Sequence, residues 1–189
     1  MGVEQLVEHC VKRGYVSEQQ APWLSYALKK HMSSLLASLP ILILASYLTT
    51  PITACFFYFS FCWLRSRTNG IHAKTFLGCL VASLLSVFVF MGLLYQLLTD
   101  PVIVILVLGS VVIIWFFAPF NHPNMHLTKE EKLACATSAK QRVVLLLSVA
   151  LVLRALNLRE ASIGIILGMA MAAVLLALAY LFKGKEEEI

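Results

Sequence analysis

Six apolar segments, at about 33–49, 51–64, 76–98, 102–118, 143–157 and 161–182, restrict the folds open to this chain more than any other feature. A helix needs roughly 20 predominantly apolar residues to cross the hydrocarbon core of a bilayer, and inside that core each backbone N–H and C=O must be satisfied within the protein. The pattern therefore predicts an all-α, polytopic integral membrane bundle of about six spans. The second and fifth segments fall short of a full span; a re-entrant, tilted or flank-extended helix fits each of them. Composition points the same way: 60% of the 189 residues are hydrophobic and 13% charged, against about half and about a quarter in a soluble domain. Residues 1–189 are expected to form one membrane domain, with interfacial amphipathic helices in 1–31, the bundle over 33–182 and a tail over 183–189.

The charged residues set the expected orientation. Every lysine and arginine except Arg154 and Arg159 falls before the first segment, after the second, after the fourth or after the last. Cytoplasmic loops carry the excess of these residues, so both termini of this multi-pass cell-membrane protein are expected in the cytoplasm. The formal charge of +5 then suits an anionic leaflet, and nucleic-acid binding is not expected, because no basic groove pattern interleaved with aromatics is present. The first apolar run begins only near Leu35, and no cleavable signal peptide is evident. Upstream, Val3, Leu6, Val7 and Cys10 share a helical face, Gly14 marks a turn, and Ser17 with Gln20 resembles a capping box. Trp23, Leu24, Ala27, Leu28 and His31 then repeat at helical spacing, as in a helix on the inner membrane face or one packed on the bundle. Pro40 predicts a kink in the first span, whereas Pro51 and Pro101 open their segments, where a missing N–H costs little.

Cys10, Cys55, Cys62, Cys79 and Cys135 are odd in number and lack the spacing of a disulfide framework, so free thiols are expected. Cys55 and Cys62, two turns apart in the second segment, read as small core residues. Cys79 stands apart from them. It closes the polar, basic island 65–79 just where the third apolar segment begins, with His72 seven residues before it.

A cysteine nucleophile acts as the thiolate, and a thiol with a pKa near ~8.5 supplies little at neutral pH unless a histidine or a helix N-terminus stabilises the anion. A third span starting near Thr75 puts Cys79 just past its first turn, at the positive end of the helix dipole. Arg65, Arg67 and Lys74 add positive potential. A single helix from His72 to Cys79 would separate the two by ~10.5 Å along its axis, too far for proton transfer. The chain must therefore turn back first, and Asn69-Gly70 is the dipeptide that lets it. Gly78 leaves room for a substrate backbone. Asn69, Ser83, Asn121 and Asn124 are the side chains available to orient the imidazole, and a backbone carbonyl serves equally. The competing reading of His72 and Cys79 is packing at a membrane edge. In the second island, 118–127, Pro123 separates His122 from His126 and no HExxH arrangement occurs. No metal or other cofactor is expected, and this loop is expected to pack over the first island.

With these residues in hand, the chain resembles the AgrB family, the accessory gene regulator B membrane peptidases of Gram-positive quorum sensing. The resemblance rests on Arg65, Gly70-Ile71-His72-Ala73, Cys79 and Ser83, on Ala118-Pro119 with Asn124 and Leu127, and on the length and span pattern. The family often has a second glycine where this chain has Asn69, and Lys-Pro where it has Met125-His126. The resemblance implies an AgrD-like precursor peptide as partner, with an amphipathic leader, an internal cysteine or serine and an acidic tail. It implies Cys79 as nucleophile and His72 as base, then acid, in removing that tail, and a thioester that the precursor's own thiol displaces to close a thiolactone. Arg65 becomes the candidate for holding the tail or fixing the loop, and the basic loops carrying Lys129 and Lys132 would attract it. A homodimer is also implied, with Gly164, Gly168 and Ala172 as a small-residue face for it or for packing within one chain. A peptide exporter or a non-catalytic membrane scaffold remains the alternative.

Overall fold

The computed structural model of the chain describes residues 3–17, 19–68, 76–120 and 128–186. Seven α-helices run through these residues, and no strand occurs among them. They are α1 (Val3–Lys12), α2 (Ala21–Leu48), α3 (Pro51–Thr68), α4 (Phe76–Val87), α5 (Asp100–Phe117), α6 (Lys129–Ala155) and α7 (Arg159–Glu186). The chain divides into two compact units, Met1–Ile41 and Leu42–Ile189.

In the first unit, α1 ends as its sequence suggests. Gly14 takes φ +73°, and the N–H groups of Tyr15 and Gly14 donate to the carbonyls of Cys10 and Val11 at 3.0 and 2.9 Å, the two bonds of a Schellman cap. The motif at Ser17 is only partly as expected. Its backbone N–H reaches Gln20 Oε1 at 3.5 Å, but α2 starts at Ala21, after the motif. From there α2 runs as one helix through Pro40 to Leu48, joining the interfacial helix and the first apolar segment.

The second unit is built around α7. Residues 161–173 are buried without interruption, as expected of a helix enclosed on all sides. Its small residues let α3 approach closely. A Cβ on Gly164 would stand 2.5 Å from the Thr53 carbonyl oxygen, and one on Gly168 would meet Ser60 Oγ and stand 2.6 Å from the Phe57 carbonyl oxygen. The Gly164, Gly168, Ala172 face is thus filled within the chain. Thr53, Phe57, Ser60, Leu64 and Thr68 form the buried stripe of α3, which leaves Cys55 and Cys62 on its outer side. Both are exposed, so they are not core residues. All five cysteines are free thiols.

Pairing contacts place α5 and α6 antiparallel. Asp100 and Arg154 form an ion pair at 2.8 Å at one end, and Lys140 lies over the Trp115 ring, 5.0 Å from its centroid, at the other. At the start of α6, Thr128 accepts from the Glu131 N–H at 3.2 Å while its own N–H donates to Glu131 at 2.9 Å. This capping box explains why the helix extends well ahead of the apolar segment 143–157, so the fifth segment is a long helix lengthened by its flank. Asn157, at φ 61°, closes α6 with a second Schellman pair, Leu158 N–H to Leu153 at 2.8 Å and Asn157 N–H to Arg154 at 3.1 Å.

Among the described residues, four helical stretches are long and apolar enough to cross a membrane: Leu77–Leu97, Asp100–Phe117, Lys129–Ala155 and Arg159–Phe182. The first includes a feature with no marker in the sequence: α4 passes into a π-helical stretch, Phe88–Leu94, and then a 3-10 turn, Tyr95–Leu97. Among the described residues, the apolar part of α2 is Leu36–Leu48.

Candidate functional site

Cys79 is the fourth residue of α4 and is exposed. Ser83, one turn further along, is half-buried. Arg65 lies in the last turn of α3, just past that helix's apolar run, and is half-buried. Loss of hydration there pulls the guanidinium down to about 10, and Cys79 acts in the opposite direction. Arg65 therefore remains a cation at neutral pH, and Cys79 lies within electrostatic range of it.

The end of α3 is held from two directions. Arg142 of α6 donates through Nη1 to the Trp63 carbonyl and to Ser66 Oγ, the latter at 2.6 Å, and its guanidinium lies 5.1 Å from the Trp63 ring centroid. The segment after α5 closes the helix end: Phe120 N–H donates to the Thr68 carbonyl at 2.9 Å, following a cis Ala118-Pro119 peptide. Phe120 is itself buried and meets the Tyr180 ring of α7 edge-on at 5.1 Å. Tyr180 in turn donates to the Phe117 carbonyl at 2.9 Å. The start of the second polar island is therefore fastened to the start of the first.

Other expected site residues fare differently. His72, Asn69 and Gly70, with Asn121, His122, Asn124 and His126, lie outside the described residues. Lys129 and Lys132 are exposed in the first turns of α6, ~15–20 Å along its axis from Arg142; the structure does not bring them to Arg65. Arg142, Trp63, Phe120 and Tyr180 are the residues that sequence reasoning missed. One signal was available for Arg142, a lone guanidinium at the junction where polar sequence turns into the fifth apolar segment. Among the described residues, no group of His, Cys, Asp and Glu is arranged to hold a metal ion.

These features define a class: a polytopic helical membrane protein that presents a thiol in the opening turn of one helix beside a guanidinium at the end of the helix before it. The family model for accessory gene regulator B (AgrB) matches residues 3–177, and the chain belongs to the AgrB family. Membership gives it a part in the processing of agr quorum-sensing pheromones, at the membrane, with an AgrD-type precursor as partner. No curated protein and no solved structure matches the chain.

Proposed function

We propose that the protein is a membrane-embedded cysteine endopeptidase that removes the acidic tail of an AgrD-like precursor and promotes thiolactone formation. The observation that carries this reading is an exposed Cys79 in the opening turn of α4 with the Arg65 cation in electrostatic reach, in a chain of the AgrB family. Cys79 Sγ attacks the carbonyl before the tail, and its proton passes to His72. The tetrahedral intermediate collapses with cleavage of the C–N bond, and His72 returns the proton to the departing amine. The precursor's internal thiol then attacks the thioester carbonyl, closing the ring and releasing Cys79 as a thiol. Exchange between thioesters is nearly balanced in energy, whereas hydrolysis is downhill, so the site must exclude water and hold the internal thiol close.

In this reading Asn69-Gly70 turns the chain so that His72 faces Cys79, Ser83 helps shape the site, and Arg65 holds a tail carboxylate. Lys129 and Lys132 act at longer range, steering the acidic tail. The single membrane domain crosses the bilayer six times with both ends and the dyad on the cytoplasmic side. The exporter alternative calls for a polar path through the bundle. Among the described residues the buried polar side chains are Thr53, Ser60, Thr68, Ser110 and Ser162, and those of Ser60, Ser110 and Ser162 are spent on helix carbonyls.

The test is processing of a candidate precursor by protein in vesicles, followed by peptide mass, for wild type, Cys79→Ala and His72→Ala. Tail release by wild type, reduced at least about a thousandfold by either substitution, is the expected result; unchanged processing by Cys79→Ala would overturn the reading.

A further inference from the structure

We propose that the groove between α5 and α6 binds the headgroup of an anionic phospholipid. The groove has a volume of about 410 Å³ and is lined by Trp115 from α5 and by Thr137, Lys140, Gln141, Val144 and Leu145 among the residues of α6. Its mouth is organised around the Lys140 ammonium, held over the Trp115 indole at 5.0 Å from the ring centroid and half-buried there. Trp115 is two residues from the end of α5, the level at which tryptophan ordinarily meets lipid headgroups.

Two further observations specify the occupant. The first is charge. Among the described residues, Lys140 is the groove's ionisable residue and no carboxylate lines it. Glu131, the nearest acid before it on α6, is ~13 Å away along the axis and is engaged with Thr128. A cation with no neutralising partner among the groove's described residues matches an anion. The second is the gradient along α6. Thr137, Lys140 and Gln141 offer hydrogen-bond donors at one level, and Val144 and Leu145, 53% and 51% exposed, form an apolar wall one turn deeper. A phosphate joined to acyl chains fits that sequence of surfaces. An acidic peptide would satisfy the lysine and leave the apolar wall uncovered, so the lipid is the better match. The site does not involve Cys79, and it stands or falls independently of the peptidase reading.

Native mass spectrometry of the purified full chain, titrated with phosphatidylglycerol or with phosphatidylcholine, tests the proposal. Wild type should retain one phosphatidylglycerol with about fivefold or greater preference over phosphatidylcholine. Lys140→Gln should remove the preference and Lys140→Arg should keep it, while Lys12→Gln, in a lysine paired with Glu8 on α1, should leave it unchanged. A readout on wild type alone guards against a variant that fails to fold: in phosphatidylcholine bilayers, acyl-brominated phosphatidylglycerol should quench tryptophan emission more than brominated phosphatidylcholine at equal mole fraction. Equal retention of the two lipids, a preference that survives Lys140→Gln, or equal quenching would overturn the proposal. Displacement of the bound lipid by inorganic phosphate, or by a short oligoglutamate peptide, would reassign the groove to a free anion or to an acidic peptide.

Discussion

Arg65 stands in the last turn of α3, and its proposed role is to hold a carboxylate of the precursor tail. Replacing it with glutamine should raise KM for the precursor about tenfold, equivalent to ~1.4 kcal/mol. The same substitution should make little difference with a precursor whose tail acids are replaced by amides, which a purely structural role for Arg65 would not produce. Arg142 belongs to the support of the site. It combines donation to the Trp63 carbonyl and Ser66 with stacking on Trp63, and lysine cannot reproduce that planar geometry. Arg142→Ala should cost about 1–3 kcal/mol, read as a lower melting temperature in detergent, with Arg142→Lys recovering only part of the loss. Cys79 is a candidate from the sequence because a thiol at a polar-to-apolar boundary is a local pattern. For Arg142 the sequence offers its place at such a junction but not its partners, which are 79 and 76 residues away and which no periodicity within α6 announces.

Among the elements, the contact of α3 with α7 has the tightest tolerance. A valine at Gly168 would drive atoms into Ser60 and the Phe57 carbonyl, and overpacking of this kind costs about 1–3 kcal/mol. Gly168→Val should therefore lower the melting temperature. Gly109→Ala is the contrasting case: nothing lies within 4 Å of the position a Cβ would take, and alanine is the better helix former, so that variant should match or exceed wild type. The spacing of Gly164, Gly168 and Ala172 made a packing face legible in the sequence, but its partner was not. Small residues at four-residue intervals suit a neighbouring chain as well as a neighbouring helix, and the choice depends on which helix carries matching hydroxyls, here Thr53 and Ser60. Cys55 and Cys62 were misread for a related reason. In an apolar run the outward side is as hydrophobic as the inward side, so hydropathy does not reveal which residues face the core. The reach of α6 is legible in principle, because Thr128 and Glu131 have the capping-box spacing well ahead of the apolar boundary at 143.

For the whole molecule, hydropathy and the placement of lysine and arginine predict six crossings with both ends cytoplasmic; among the described residues, four helices have the length and apolarity to cross. The remaining two proposed crossings are α2, a continuous helix over Ala21–Leu48, and α3, whose apolar run 51–64 covers ~20 Å of a core about 30 Å thick. A short apolar run like that of α3 is accommodated by local thinning of the bilayer or by snorkelling of flanking side chains. The topology has a direct check. With the native cysteines replaced, a single cysteine at Leu158, in the connection between α6 and α7, should react with an impermeant maleimide in intact cells, whereas one at Glu130, at the start of α6, should react only after permeabilisation; the reverse pattern would invert the assignment. The central claim, that Cys79 is a thiol nucleophile, is tested most directly by intact-protein mass spectrometry after incubation with a precursor whose internal cysteine is replaced by alanine. Without the displacing thiol, wild type should accumulate a hydroxylamine-sensitive adduct of the precursor minus its tail, mapping to Cys79; tail release with no adduct, or an adduct that persists in Cys79→Ala, would contradict the account.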